Sequence, residues 1–370
     1  MKNANLEALS AHGVSVWLDD LSRDRIATGD LSRLVDELSV VGVTTNPTIF
    51  QAAITGSDLY ADDIRALADT GVGPLEVARA LFVDDVRAAC DLLAPIAAAT
   101  DGVDGRVSLE VDPRLAFQST ATTERARLLW SLVDRPNLLV KIPATREGLP
   151  AIRSAIAEGI SVNVTLIFSI ERYREVMDAY LAGLEERLVA GEPVSGIESV
   201  ASFFVSRVDT AIDPELERLG TEEALGLRGR AAIANARLAY QAYLETFTGA
   251  RWEALAAAGA RPQRPLWAST GVKDSAYPDT MYVTELVGPG IVNTMPEATL
   301  LAVADHGVVR PGTIAEGVDE AAQVIAELEG LGMDLDSVTT RLEHEGVVKF
   351  QQSWEQLLSA ITEVIEAVED

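Results

Sequence analysis

A lysine inside an apolar run, carboxylates in similar runs, and amides and hydroxyls beside them are the residues of this chain best equipped for chemistry. The chemistry is that of a carbonyl group. Lys141, one of only four lysines among 30 basic residues, sits in Asn137-Leu-Leu-Val-Lys-Ile-Pro-Ala-Thr145. An ammonium there has lost most of its water, which disfavours its charged form. A lysine that is partly neutral near pH 7 attacks carbonyls, the requirement for Schiff-base catalysis. The alternative is a lysine that ends an edge strand in solvent. Lys2, Lys273 and Lys349 have no comparable setting.

Other short apolar segments carry similar groups. Asp19-Asp20 ends one, Thr44-Thr45-Asn46-Pro47 another, and Val107-Ser-Leu-Glu-Val-Asp112 contains Glu110 and Asp112. Asn163 and Thr165 lie in Asn-Val-Thr-Leu-Ile-Phe168, and Ser202, Phe204 and Arg207 follow on the next run. Ser269 leads to Lys273, and Asn293-Thr294 comes last. Residues two apart on a strand share a side, so Asn163 pairs with Thr165 and Ser202 with Phe204. Polar groups inside strands are costly unless paired. Taken alone, each is also explained as a satisfied structural group, and Asn46 before proline as a turn residue.

What the chain lacks narrows the choice. His12, His306 and His344 are scattered and Cys90 stands alone, so neither a metal-ligand spacing nor a disulfide is available. No Gly-rich nucleotide motif follows any strand. We therefore expect no metal and no cofactor. A formal charge of -27 argues against nucleic acid and anionic membranes as partners. It also repels anionic metabolites unless a local basic pocket intervenes. The N-terminus does not read as a signal peptide and no run of eighteen apolar residues occurs, so a cytoplasmic protein is expected.

The elements that must position these residues alternate regularly. Strands are predicted at Val14–Asp20, Gly42–Thr48, Arg106–Asp112, Asn137–Thr145, Ser161–Ser169, Ser199–Val208, Pro265–Thr270 and Gly290–Met295. Amphipathic stretches such as Pro74–Ala98, Thr122–Val133, Leu149–Glu158 and Ile170–Val189 lie between them. Strands alternating with helices imply parallel βαβ units. Eight of them predict an α/β fold, a (β/α)8 TIM barrel, in one domain spanning 1–370. Extra helical material at 209–264, including Arg230–Phe247, reads as an insertion between strands six and seven. Helices at Ile314–Leu331 and Val347–Ala367 follow the last strand. The final helix carries Val347, Phe350, Trp354, Leu357, Ile361, Val364 and Val368 in a seam that suits the chain's own core or a subunit contact. Packing within the chain is the expectation. In a barrel, the active site forms at the C-terminal strand ends, which is where the polar residues fall.

Five of these segments, in order and spacing, resemble the motifs of the transaldolase family: Val43-Thr-Thr-Asn-Pro-Thr48, Ser108-Leu-Glu-Val-Asp112, Leu139-Val-Lys-Ile-Pro-Ala-Thr145, Asn163-Val-Thr-Leu-Ile-Phe-Ser169 and Ser202-Phe-Phe-Val-Ser-Arg207. The likeness runs from about Val14 to Met295. The length, the insertion and Trp267-Ala-Ser-Thr-Gly-Val-Lys273 look like the longer bacterial branch. The resemblance implies transfer of a dihydroxyacetone unit from sedoheptulose 7-phosphate or fructose 6-phosphate to an aldose phosphate, in the pentose phosphate pathway. It implies Lys141 as the Schiff-base lysine, Asp19 as acid/base at the breaking bond, and Glu110 acting through a water held by Thr165. Asn46, Asn163 and Ser202 would hold the hydroxyls, beside Phe204, and Arg207 and Lys273 the phosphate. Short forms carry arginine in the strand-seven loop, whereas this chain offers only Lys273. Partners would be phosphorylated ketoses and aldoses, and the chain a monomer or homodimer. Two alternatives stand beside this: a fructose-6-phosphate aldolase, which Glu110 and Phe204 disfavour, and a barrel that binds sugar phosphates without turnover.

Overall fold

The computed structural model describes residues 2–369, with side chains through Glu366. Its centre is a closed barrel of eight parallel strands in sequence order. These are β1 (Val14–Leu18), β2 (Gly42–Val43), β3 (Arg106–Glu110), β4 (Leu138–Pro143), β5 (Val162–Ile167), β6 (Ser199–Phe204), β7 (Arg264–Ala268) and β8 (Ile291–Met295). β1 pairs with β8 over five residues, which closes the ring and leaves no sheet edge. The strands are fully buried apart from Ser15, as expected when helices cover the outside and side chains fill the inside.

All eight predicted strands are present and each is shorter than predicted, β2 and β6 the most, for local reasons. β2 stops at Val43, because Asn46 caps a helix that begins at Pro47. Proline suits the first helical position, where its missing N–H costs nothing. β6 stops at Phe204, and the helix Ser206–Leu219 starts at once, so Arg207 lies in a first helical turn. Gly42 has a packing reason to be glycine. A Cβ there would sit 2.5 Å from the fully buried Trp17 indole.

The material between β6 and β7 contains Ser206–Leu219, Glu222–Gly226, Ala231–Thr246 and Ala250–Ala257. Ala231–Thr246 packs on β7 and on the helix Ile170–Val189, so it is part of the barrel's outer ring. Ser206–Leu219 instead packs between Ala231–Thr246 and the C-terminal helix. The last two helices are Val318–Gly330 and Leu335–Glu369, the latter beginning twelve residues before the predicted Val347. Its seam faces this chain's own barrel. Val347, Phe350, Trp354, Leu357 and Ile361 are buried, and Trp354 meets Phe82 edge-on at 5.7 Å. Val364 is partly buried, and the side chain of Val368 lies outside the described residues. Among the described residues, no helix is long and apolar enough to cross a membrane.

Candidate active site

Three adjacent strands bring the central groups together. Parallel register aligns Glu110 with Lys141 and Lys141 with Asn163. Lys141 is 4% exposed, so it is an interior residue and not the end of an edge strand. Its Nζ donates to the Thr45 carbonyl at 3.0 Å and lies 3.4 Å from Glu110 Oε2. That second contact balances charge at a separation too long for a strong hydrogen bond. The Phe350 ring, from the C-terminal helix, stands 5.9 Å from the same nitrogen.

Burial dominates the behaviour of Glu110. Loss of water pushes its carboxyl up to about 7, against the opposing pull of Lys141 and with a smaller push from Asp19. A group near that value both gives and takes protons at neutral pH. Glu110 Oε2 and Thr165 Oγ1 are buried with no hydrogen-bond partner among the described residues. Buried polar atoms of this kind commonly share a water. Immediately after Thr165 the β5 register shifts, and Leu166 adopts a left-handed φ of 62°. Such a conformation is strained for leucine by about 1–3 kcal/mol and is typical of functional sites.

Asp19 sits just past β1, across the barrel from β4. Its backbone N–H donates to Met295 of β8 at 2.8 Å. Its Oδ1 accepts from Thr44 Oγ1 at 2.7 Å, and Thr44 shares a 2.6 Å hydrogen bond with Thr294. Burial holds the Asp19 carboxyl above its ordinary range, with Lys141 and the Thr44 bond opposing. A carboxylate fixed through one oxygen keeps the other free to accept a proton.

The amides and hydroxyls are pre-oriented. Ser202 Oγ donates to Asn163 Oδ1 at 2.7 Å, and Asn163 Nδ2 donates to Ser108 Oγ at 3.0 Å. Asn46 accepts from Ile49 N–H at 3.1 Å as a helix cap, so its amide nitrogen is what it can offer a ligand. Lys141, Asp19, Asn46, Ser202 and Phe204 line one pocket of about 190 Å³, together with Arg207 and Lys273. Glu110, Asn163 and Thr165 do not line it and are buried in the adjoining strand layers.

Arg207 packs over the Phe204 ring at 5.0 Å. Among the described residues it makes no ion pair, and burial lowers its pKa. The nearby Asp209 is not its partner, since Asp209 accepts from Ala232 N–H at 2.8 Å and Tyr282 O–H at 2.7 Å. Asp213, one turn on, accepts from Tyr277 O–H at 2.7 Å. Two aspartates on the Arg207 helix thereby hold the β7–β8 connection that carries Lys273. Sequence reasoning missed this lock, and it also missed Lys349 and Phe350 at the pocket.

The lock carries a pH signature. Burial raises Asp209 from 3.8 to about 7 despite its two hydrogen bonds. The folded protein therefore keeps a proton that the unfolded chain has released, so stability falls as pH rises from about 4 to about 7 and levels off above that. The fall is expected to reach roughly a few kcal/mol at most. Asp209→Asn stays neutral and should flatten the decline, measured as urea midpoints between pH 5 and 8. Parallel declines in both proteins would show that Asp209 does not hold the proton.

The described residues contain no group of three or more His, Cys, Asp or Glu side chains placed to hold a metal ion. The model of the Transaldolase/Fructose-6-phosphate aldolase family matches residues 16–361. The chain belongs to this family. It is 59% identical over 362 residues to a transaldolase of Thermobifida fusca, covering 98% of both chains. It is 60% identical over 361 residues to one from Acidothermus cellulolyticus, covering 98% of this chain and 97% of that one. Transaldolase 1 of Streptomyces coelicolor is 60% identical over 362 residues, with 98% and 95% covered. The family match encloses every residue of the pocket described above. The family resemblance drawn from the five motifs therefore holds over nearly the full chain, including the C-terminal helix up to its last turns.

Proposed function

We propose that this chain is a transaldolase that moves a dihydroxyacetone unit from sedoheptulose 7-phosphate or fructose 6-phosphate to erythrose 4-phosphate or glyceraldehyde 3-phosphate, using Lys141 as Schiff base. The observation that carries the proposal is a buried lysine, 3.4 Å from a carboxyl near neutrality, in a pocket with unpaired cations. Lys141 attacks the ketose carbonyl, and Glu110, through a water shared with Thr165, moves the protons that convert carbinolamine to imine. Asp19 takes the proton of the C4 hydroxyl as the C3–C4 bond breaks. The electrons of that bond flow into the iminium, which becomes a neutral enamine. An aldose then enters, and the same steps run in reverse.

Asn46, Asn163 and Ser202 hold the hydroxyls of the three-carbon unit, and Phe204 supports Arg207 from beneath. Arg207 and Lys273 hold phosphate, Arg207 through its planar fork and Lys273 as a point charge. Phe350 beside Lys141 helps keep water from the enamine, which favours transfer over release of free dihydroxyacetone. The proposed partners are phosphorylated ketoses and aldoses, met in the cytoplasm by a monomer or homodimer. The charge of -27 makes nucleic acid and anionic membranes poor partners.

Consumption of fructose 6-phosphate, measured with and without erythrose 4-phosphate, tests the transfer. Turnover that depends on the acceptor supports it, and release of free dihydroxyacetone at an equal rate without acceptor would instead indicate an aldolase. Arg207→Ala is expected to raise KM for phosphorylated donor and acceptor by about tenfold or more, the scale of a lost charge-assisted contact. Borohydride labelling by unphosphorylated dihydroxyacetone should suffer far less. Equal loss with both ligands would mean that Arg207 supports the fold and does not hold phosphate.

A further inference from the structure

Three cations line the pocket without acidic partners, in a protein with 57 acidic and 30 basic residues. Arg207, Lys273 and Lys349 form no ion pair among the described residues. Arg25, by contrast, pairs with Asp20, Asp30 and Glu297. Unpaired like charges gathered in one pocket repel one another unless an anion joins them. The mutual repulsion is visible at Lys349, whose pKa is lowered by burial and by both other cations. Arg207 and Lys273 have a role in the proposal above, but Lys349 does not.

Lys349 arrives from a different part of the chain, the helix Leu335–Glu369. That helix is seated closely at this point. A Cβ on Gly346 would lie 2.8 Å from Leu166 Cδ2 and 3.5 Å from Arg207 Nη1. The adjacent Phe350 is 3% exposed and stands 5.9 Å from Lys141 Nζ. The next turn of the helix is also tied to the barrel end by two hydrogen bonds, Gln351 Nε2 donating to the Pro113 carbonyl and Ser353 bonding with Thr48. The backbone carrying Lys349 is thus fixed over the pocket, and its ammonium has a defined range.

We infer that Lys349 is a third phosphate-binding residue, supplied by the C-terminal helix, which sets the preference for phosphorylated substrates. The inference rests on the transaldolase proposal and deepens it. A phosphate held between Arg207, Lys273 and Lys349 bridges the barrel and the helix. Binding at the phosphate end then steadies Phe350 beside Lys141, so recognition of the ester and shielding of the reacting end occur together.

Lys349→Met and Lys349→Arg in the full chain test this. Lys349→Met should raise KM for fructose 6-phosphate and erythrose 4-phosphate about tenfold with a much smaller change in kcat, the scale of one charged contact. Inhibition by inorganic phosphate should weaken by a similar factor, and Lys349→Arg should restore most of both. Unchanged KM values and unchanged phosphate inhibition would overturn the inference. So would equal impairment of borohydride labelling by unphosphorylated dihydroxyacetone, which points to a structural role. If wild-type protein were never labelled at Lys141, the transaldolase proposal itself would fail. Normal labelling with a Lys349→Met variant indistinguishable from wild type would sink only the role of Lys349.

Discussion

Lys141→Met is expected to fold and to lose essentially all turnover, by roughly 10⁴-fold or more, the scale on which removal of a covalent nucleophile acts. Methionine is unbranched like lysine, close to it in volume, and suits a wholly buried strand, so packing is largely kept. Removing one member of a buried ion pair usually destabilises, because the other charge is stranded. Here the stranded group is Glu110, whose carboxyl already stands near 7. Without the ammonium it rises further and takes up a proton, which removes most of the penalty at neutral pH. Circular dichroism and urea unfolding close to wild type, with no detectable transfer, is the expected pair of results. A folded variant that kept a substantial fraction of wild-type activity would end the Schiff-base mechanism.

Glu110→Gln and Asp19→Asn should both lose roughly 10²–10⁴-fold in turnover, as removal of a general acid or base does. They should fail at different steps. Glutamine keeps the shape of Glu110 but cannot shuttle a proton, so imine formation and hydrolysis slow and borohydride labelling with fructose 6-phosphate becomes weak. Asparagine at position 19 keeps the hydrogen bond from Thr44 but offers no base across the barrel from Lys141. Its imine should form and then stall before C–C cleavage, leaving labelling strong and product scarce. Equal labelling of the two variants would show that the roles are not divided this way.

Much of this architecture was legible because it is local. Runs such as Leu138–Pro143 and Val162–Ile167 are apolar over strand length, and helical periods between them dictate parallel crossovers. Once the strands are ordered, Glu110, Lys141 and Asn163 must fall on neighbouring strands. The errors came from signals that compete at one position. Asn46-Pro47 reads as a turn ending a strand, yet the same pair caps and starts a helix. The apolar run Ser199–Val208 predicts a strand that carries Arg207, whereas the backbone turns into helix at Ser206. The extra helical material expected at 209–264 is present, and one of its helices, Ala231–Thr246, packs in the outer ring.

Lys349 and Phe350 were out of reach for another reason. The apolar seam of the last helix was visible, and its burial on the chain's own barrel follows from it. Which residue at the edge of the seam overhangs the pocket depends on how the helix is rotated and slid across the barrel. That placement is set by contacts such as Trp354 with Phe82 and Gly346 with Leu166, which are distant in sequence. The Asp209–Tyr282 and Asp213–Tyr277 bonds are equally non-local.

Borohydride reduction in the presence of fructose 6-phosphate, followed by peptide mass analysis, tests the central claim most directly. The proposal predicts one covalent three-carbon adduct, confined to the peptide that carries Lys141 and absent without sugar phosphate. An active enzyme that acquires no adduct, or acquires it on Lys273 or Lys349, would contradict it.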